Sequence, residues 1–453
     1  MHLHILGIGG TFMSALAMLA RAKGHQVTGS DANCYPPISD LLAEQVVEWT
    51  EGYDDSRMAL QADCVIVGNA VKRGMKVLED VMNAGKPYTS GPQWLAEHVL
   101  SDYRVIAVAG THGKTSTTSM LAHILHHAGL NPGFLIGGVS SDLNVSSQLG
   151  SGDWFVIEAD EYDSAFFDKR PKFIHYRPEI AILNNLEFDH ADIYQDLEAI
   201  QQQFHYLLKT IPSHGTVLSP RDDDALNSVI KKGVYSNHQL LALNGDATWC
   251  AELLSDAGES FRILHKGEAV AEVHWSLIGR FNVENALAAF AASVHAGAKP
   301  EQIIKALESF KPVKRRLEVK GIRHDITVYD DFAHHPTAIA KTIDAVKSSG
   351  RYKRVLVVAE FASYTMKQGL HNMDLAQVFA RADGAYFLKP DAFDIEAKAS
   401  DWHSPHNILS DTQSIAEAVS KEALPGDAIL VMSNRGFDNI HQKILAQIEL
   451  RFT

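Results

Sequence analysis

A chain of 453 residues has room for about three domains of ordinary size, and 46% apolar against 21% charged residues supplies core material for each. A net charge of −14 argues against nucleic acid or an anionic membrane as partner, because both repel an acidic surface with no dense basic patch. Cys34, Cys64 and Cys250 are too widely spaced for a disulfide framework or a metal pair, and they suit a reducing cytosol. No apolar run approaches the roughly 18 residues of a spanning helix. The first residues run straight into a glycine loop without a basic leader, so a cytoplasmic protein is expected.

The first hundred residues alternate strand and helix. His2–Ile8 reads as a strand, Gly9-Gly10 opens a helix over Phe12–Ala22, and further strands lie at Gln26–Gly29 and Asp63–Val67. Parallel α/β sheets bind ligands at the carboxyl ends of their strands. Gly9, Gly10 and Thr11, Ser30 with Asp31, and Asn69 with Ala70 are therefore expected along one rim. Gly7-x-Gly9-Gly10 lacks the third glycine of a dinucleotide fingerprint, since position 12 is Phe. A diphosphate at this helix N-terminus is one reading, with Asp31 near a ribose or base; an ordinary tight turn is the other, and a nicotinamide-linked dehydrogenase is the remote alternative.

The second unit opens on the apolar run Tyr103–Ala109, followed by Gly110-Thr111-His112-Gly113-Lys114-Thr115-Ser116 and a helix with Met120, Leu121, Ile124, Leu125 and Ala128 at apolar spacing. Strand, glycine loop, Lys-Thr and helix N-terminus form the context of a P-loop. Its backbone N–H groups would cradle phosphates, with Lys114 on the β/γ-phosphates and the Thr115 hydroxyl on Mg²⁺. The general pattern asks for glycine at position 108, which is valine, so the loop is a shortened variant. Trp154–Glu158 then runs into Asp160, Glu161 and Asp163, a strand that ends in carboxylates and resembles the acidic strand of P-loop enzymes; Glu158 is its candidate Mg²⁺ ligand.

Strands at Glu179–Leu183 and Thr216–Leu218 follow, the former reaching the cluster Asn184-Asn185-Leu186-Glu187-Phe188-Asp189-His190. A neutral His190 among oxygen ligands is a candidate for a second divalent ion. Residues 235–275 read as irregular β pieces, an insertion. At Gly279-Arg280-Phe281-Asn282-Val283-Glu284-Asn285, Asn282 and Asn285 share a helix face and either read an adenine edge or merely cap the helix. The chain leaves helix near Phe310–Pro312, and a third alternating unit follows with strands at Thr327–Tyr329, Arg354–Ala359, Ala385–Leu388 and Ala428–Met432. Lys314-Arg315-Arg316 and Asp330-Asp331-Phe332-Ala333-His334-His335 flank its start as a basic cluster and a ligand-type turn.

Together these stretches resemble the Mur ligase family, ATP-dependent enzymes of bacterial cell-wall peptide synthesis. Gly110–Thr115, the Glu158–Asp163 run, Asn185 to His190, Asn282 to Asn285, Arg316 and Asp331–Pro336 occur in the family's order across the whole chain. Gly29–Asn33, Ser90–Trp94, Ala165–Arg170 and Asn184–Asp192 are most similar to the branch that joins UDP-N-acetylmuramate to the tripeptide L-Ala-γ-D-Glu-meso-diaminopimelate; the branch that adds L-alanine is the alternative.

The resemblance implies three α/β domains: a Rossmann-like UDP-sugar domain over 1–100, a P-loop ATPase domain over 101–311 and a doubly wound peptide domain over 312–453. It implies a monomer or weak dimer that uses ATP and Mg²⁺ to make an acyl-phosphate, then an amide. By resemblance Lys114, Glu158, His190, Arg316 and Asp331 carry catalysis. ATP is held by Gly110, Thr111, His112, Gly113, Lys114, Thr115, Ser116, Asn282, Asn285, Arg316 and Asp331. Gly9, Gly10, Thr11, Phe12, Met13, Ser30, Asp31, Asn69 and His112 take the UDP-sugar; Ser363, Thr365 and Lys367 take the peptide; Thr115, Glu158 and His190 hold metal. Phe281 stands where many members carry His.

Overall fold

The structure is a computed structural model and describes residues 1–35, 38–361, 372–390, 395, 399, 402 and 404–452. Ser363, Thr365 and Lys367 lie outside the described residues.

Three sheets organise the chain. The first is wholly parallel, in the order Glu48–Glu51, Gln26–Asp31, His2–Leu6, Cys64–Val67, Tyr88–Ser90. Its order reverses direction between His2–Leu6 and Cys64–Val67, which places the ligand crevice at the loop after Leu6 and at Gly68-Asn69. The helix Thr11–Ala22 starts at that crevice and buries Met13, Leu16, Ala17 and Ala20 on the sheet.

The second sheet has ten strands. At its centre Ile180–Leu183, Arg104–Ala109 and Trp154–Glu158 pair in parallel, so the P-loop, the acidic strand end and the Asn184–His190 segment all emerge at one edge. Each of these strands is apolar on both faces, as a sheet covered on both sides requires. The expected β-insertion over 235–275 is instead the flank of this sheet. Asn237–Leu243 and Trp249–Leu253 extend it in parallel, and Ser260–His265 and Glu268–His274 close it antiparallel. Short pieces without clean alternation hid that continuity, because their faces are unevenly buried.

The helix Arg280–His295 is buried almost all round. Its alanines let it lie close against the P-loop helix Lys114–His127, and one cluster holds Ala286, Ala289 and Phe290 with Met120, Leu121 and Ile124. The third sheet runs Glu318–Arg323, Ile326–Asp331, Asp427–Met432, Arg354–Ala359, Gly384–Leu388, His406–Leu409, parallel except for its first strand. Among the described residues, no helix is long and apolar enough to cross a membrane.

Candidate active site

The P-loop turns on two glycines. Gly110 has φ +137° and Gly113 φ +80°, both in the region that favours glycine. A Cβ on Gly113 would lie 2.7 Å from Asn285 Oδ1 and 2.9 Å from Asn184 Nδ2, so the turn also has no room for one. The loop is tied to the neighbouring strand end. Thr111 N donates to Asn185 O at 3.1 Å, His112 N to Asn185 Oδ1 at 2.8 Å, and Asn185 Nδ2 back to His112 O at 3.0 Å. Val108, the residue where glycine was missing, is a fully buried strand residue; the shortened loop simply begins two residues later, at Gly110.

Lys114, the first helical residue, places Nζ 2.7 Å from Glu161 Oε2 and 3.7 Å from Asp160 Oδ1. Burial works to lower its pKa, but Glu161, Asp160 and Glu158 outweigh burial and hold it above the usual lysine range. Glu161 is 3% exposed and also accepts from His190 Nε2 at 3.1 Å. Burial opposes the charge on His190 too, but the bond to Glu161 and the nearby Asp189 and Asp160 raise its pKa to about 9. Glu158 accepts from Gly137 N at 2.8 Å and from the Thr115 hydroxyl; burial pushes its pKa up against the pull of Lys114.

These contacts divide the expected metal set. Thr115 and Glu158 adjoin each other, whereas His190 groups with Asp160 and Glu161. His190 sits in left-handed backbone, φ +57°, with its N–H on Asp189 Oδ1 at 2.8 Å, and this turn swings the ring toward Glu161.

Arg316 reaches this group from the third unit. Its Nη2 is 3.5 Å from Thr115 Oγ1, and its guanidinium lies over Phe332, 4.9 Å from the ring centre. Asp331 has both oxygens engaged by backbone, Leu317 N and Ala333 N each at 2.8 Å. It fixes the turn that carries Arg316 and His334-His335. The third unit docks on Glu187, which accepts from Thr337 Oγ1 at 2.8 Å and pairs with His335 at 3.3 Å and His112 at 3.2 Å.

A cleft of about 1800 Å³ joins these elements. That is well above the roughly 300–1,000 Å³ of a single-ligand pocket, so it has room for more than one substrate. Gly9, Gly10, Thr11, Phe12, Thr111 to Ser116, Glu158, His190, Asn282, Asn285, Arg316 and Asp331 all line it.

Four of the residues expected to take the UDP-sugar do not. Ser30 is fully buried, with Oγ on His4 Nε2 at 3.0 Å and Thr50 at 2.9 Å. Met13 packs inward, its Cγ 3.5 Å from where a Cβ on Gly68 would lie. Asp31 is spent on the loop itself, accepting from Gly9 N at 2.8 Å and Asn33 N at 2.9 Å. Asn69 is half-buried beside the crevice, off the cleft wall among the described residues. Nor do the two amides present one free edge: Asn285 Oδ1 accepts from Thr117 at 3.1 Å behind the loop, while Asn282 Nδ2 donates to Ile278 O at 2.8 Å. One turn of helix separates them, but the P-loop helix packs against only one of the two.

Asp160, Glu161, Asn184 and Glu187 stand in the motif stretches with no task legible from sequence, and Lys172 lies outside those stretches. Lys172 follows no periodicity, and only the fold brings it to Asp160.

A P-loop, an acidic strand end and an arginine from a third α/β unit, closing on one multi-substrate cleft, define a three-domain nucleotide-dependent enzyme. The chain belongs to the Mur ligase family. It matches the family's models for the Mur ligase catalytic domain over 2–103, the Mur ligase middle domain over 108–293 and the glutamate ligase domain over 315–435. It is thus an ATP-dependent ligase that forms amide bonds, and the dehydrogenase alternative falls.

The chain is 50% identical over 448 residues, 98% of each chain, to the UDP-N-acetylmuramate–L-alanyl-γ-D-glutamyl-meso-2,6-diaminoheptandioate ligase of Escherichia coli K12. A UDP-N-acetylmuramate–L-alanine ligase of Desulforapulum autotrophicum is 29% identical over 98% of each. Among solved structures, a murein peptide ligase of Psychrobacter arcticus superposes with TM-score 0.78 at 46% identity, over 99% of this chain and 98% of that one.

Proposed function

We infer that this chain uses ATP to join UDP-N-acetylmuramate to L-alanyl-γ-D-glutamyl-meso-diaminopimelate. One observation carries the choice of amine: 50% identity across 98% of both chains to a ligase named for that reaction, against 29% over the same share for an L-alanine ligase. In this reading a lactyl carboxylate oxygen attacks the γ-phosphorus and ADP leaves. The tripeptide amine then attacks the acyl-phosphate carbonyl and phosphate departs, leaving the amide.

Anion attacks anion in the first step, so the site has to supply positive charge where charge develops. Lys114 Nζ and the Arg316 guanidinium supply it, and the phosphates take the place on Lys114 that Glu161 and Asp160 hold in this structure. The Thr115 hydroxyl and the Glu158 carboxylate, in mutual contact, are the hard oxygen donors that Mg²⁺ prefers. They would hold Mg²⁺, which would screen the phosphate charge. His190 would serve as a ligand only without the proton that its bond to Glu161 favours. Gly113 to Ser116 cradle the phosphates, Asn282 borders the base, and Gly9 to Phe12 hold the uridine diphosphate with His112 toward the sugar. Asp331 positions Arg316. Ser363, Thr365 and Lys367 remain candidates for the peptide.

The reading further takes the domain limits as 1–100, 101–311 and 312–453, and the enzyme as cytoplasmic, a monomer or weak dimer, with no nucleic-acid or membrane partner. Purified protein with MgATP and UDP-N-acetylmuramate, offered the tripeptide or L-alanine and followed by phosphate release and product mass, tests it. Tripeptide-dependent release is expected; turnover with L-alanine alone overturns the choice.

A further inference from the structure

We propose that Lys172 binds the lactyl carboxylate of the nucleotide-sugar and holds it toward the γ-phosphate. The inference rests on the functional reading above, which leaves that carboxylate without a partner on the protein.

The carboxylate travels from the sugar-nucleotide loop to the phosphates, so its partner has to stand between the first domain and the P-loop. Lys172 stands there. Its Nζ is 2.6 Å from Asp160 Oδ2, while Lys114 addresses the other oxygen of the same carboxylate, Oδ1, at 3.7 Å. The two ammonium groups thus flank Asp160, one on the P-loop side and one toward the first domain. On that side Nζ lies 5.7 Å from the ring centre of Phe12, two residues past the Gly9-Gly10 loop. Phe12, Lys172, Asp160 and Lys114 share the cleft wall.

The side chain is positioned for an incoming anion. Among the described residues Asp160 is its only hydrogen-bond partner, so two of its three N–H donors remain. Its backbone is fixed: Lys172 N donates to Tyr162 O at 3.0 Å, and the next residue, Phe173, is fully buried against Phe204. A lysine at 13% exposure keeps a strong field, since little water screens it. Arg316, by contrast, reaches Thr115 on the nucleotide side.

Binding of two ligands to the full-length protein tests the assignment: UDP-N-acetylmuramate, and UDP-N-acetylglucosamine, which lacks only the lactyl group. Lys172→Met is expected to weaken the first at least about tenfold, the loss of one charge-assisted hydrogen bond, and to leave the second within about twofold. Lys172→Arg is expected to restore most of the preference. Equal weakening of both ligands by Lys172→Met means that the residue only supports the fold, and overturns the proposal. So does an undiminished preference for the lactyl compound in Lys172→Met when the wild type has that preference. A wild type that neither prefers nor ligates the lactyl compound overturns the functional reading as well.

Discussion

Gly113→Ala probes the tightest point of the P-loop. At φ +80° any other residue pays left-handed strain of about 1–2 kcal/mol. The new Cβ would also meet Asn285 Oδ1 at 2.7 Å and Asn184 Nδ2 at 2.9 Å, so both amides have to move. They are the groups that bond Thr117, at 3.1 Å and 3.0 Å, and each weakened bond costs about 0.5–1.5 kcal/mol. The total is about 2–5 kcal/mol. If the loop holds its shape, the loss shows in urea unfolding; if it shifts instead, the loss shows in ATP affinity, as a fall of about thirty- to several-thousandfold. Gly129→Ala is the control. Its φ is +77° with nothing within 4 Å of the added Cβ, so strain alone is expected and ATP binding stays unchanged. Calorimetric titration with ATP and urea curves on both variants decide the matter. A Gly113→Ala protein that matches Gly129→Ala in stability and binds ATP within twofold of wild type refutes the reasoning.

Other outcomes follow from the same contacts. Lys114→Met should lower kcat/KM for ligation at least about 10²–10³-fold, measured by phosphate release, and should destabilise the ligand-free protein by leaving buried Glu161 with His190 alone. Opposed by burial, the bonds from His112 and Thr337 and the nearby His335 bring Glu187 down from 4.5 to about 2. A depressed carboxylate stabilises the fold fully above its unfolded pKa and loses that contribution as pH falls from 4.5 toward 2. With Glu187 about a third exposed, screening cuts the contribution to about 1–2 kcal/mol. Glu187→Gln should therefore flatten the pH dependence of the unfolding midpoint in that window; an unchanged slope would show that the contact carries no weight. Because Glu187 also docks the third domain through Thr337, the same variant should raise the KM for the amine more than that for ATP in steady-state assays.

Chemistry confined to neighbouring residues was legible from order alone. Tyr103 to Thr118 is one strand, one turn and one helix, and its apolar run, glycines and Lys-Thr pair each have a local physical reason. The alternation of strand and helix likewise requires parallel sheets, and Trp154–Glu158 appears with the limits read from sequence. Tertiary structure alone decided how segments far apart in the chain share their groups. Ser30 and Met13 have the polarity or position of ligand residues, but helix and sheet packing turn them into the core. Asn285 is one helical turn from Asn282, yet the helix carrying Lys114 claims it. Glu161 rather than Glu158 is the close partner of Lys114, because the chain turns after Ala159 and buries the later carboxylate beside the lysine. Lys172 carries no local mark of function, and Asp160 and Phe12 meet it only in three dimensions. Residue order thus determined which charges this ligase carries, while packing, which works across hundreds of residues, determined which charges stand opposite each other.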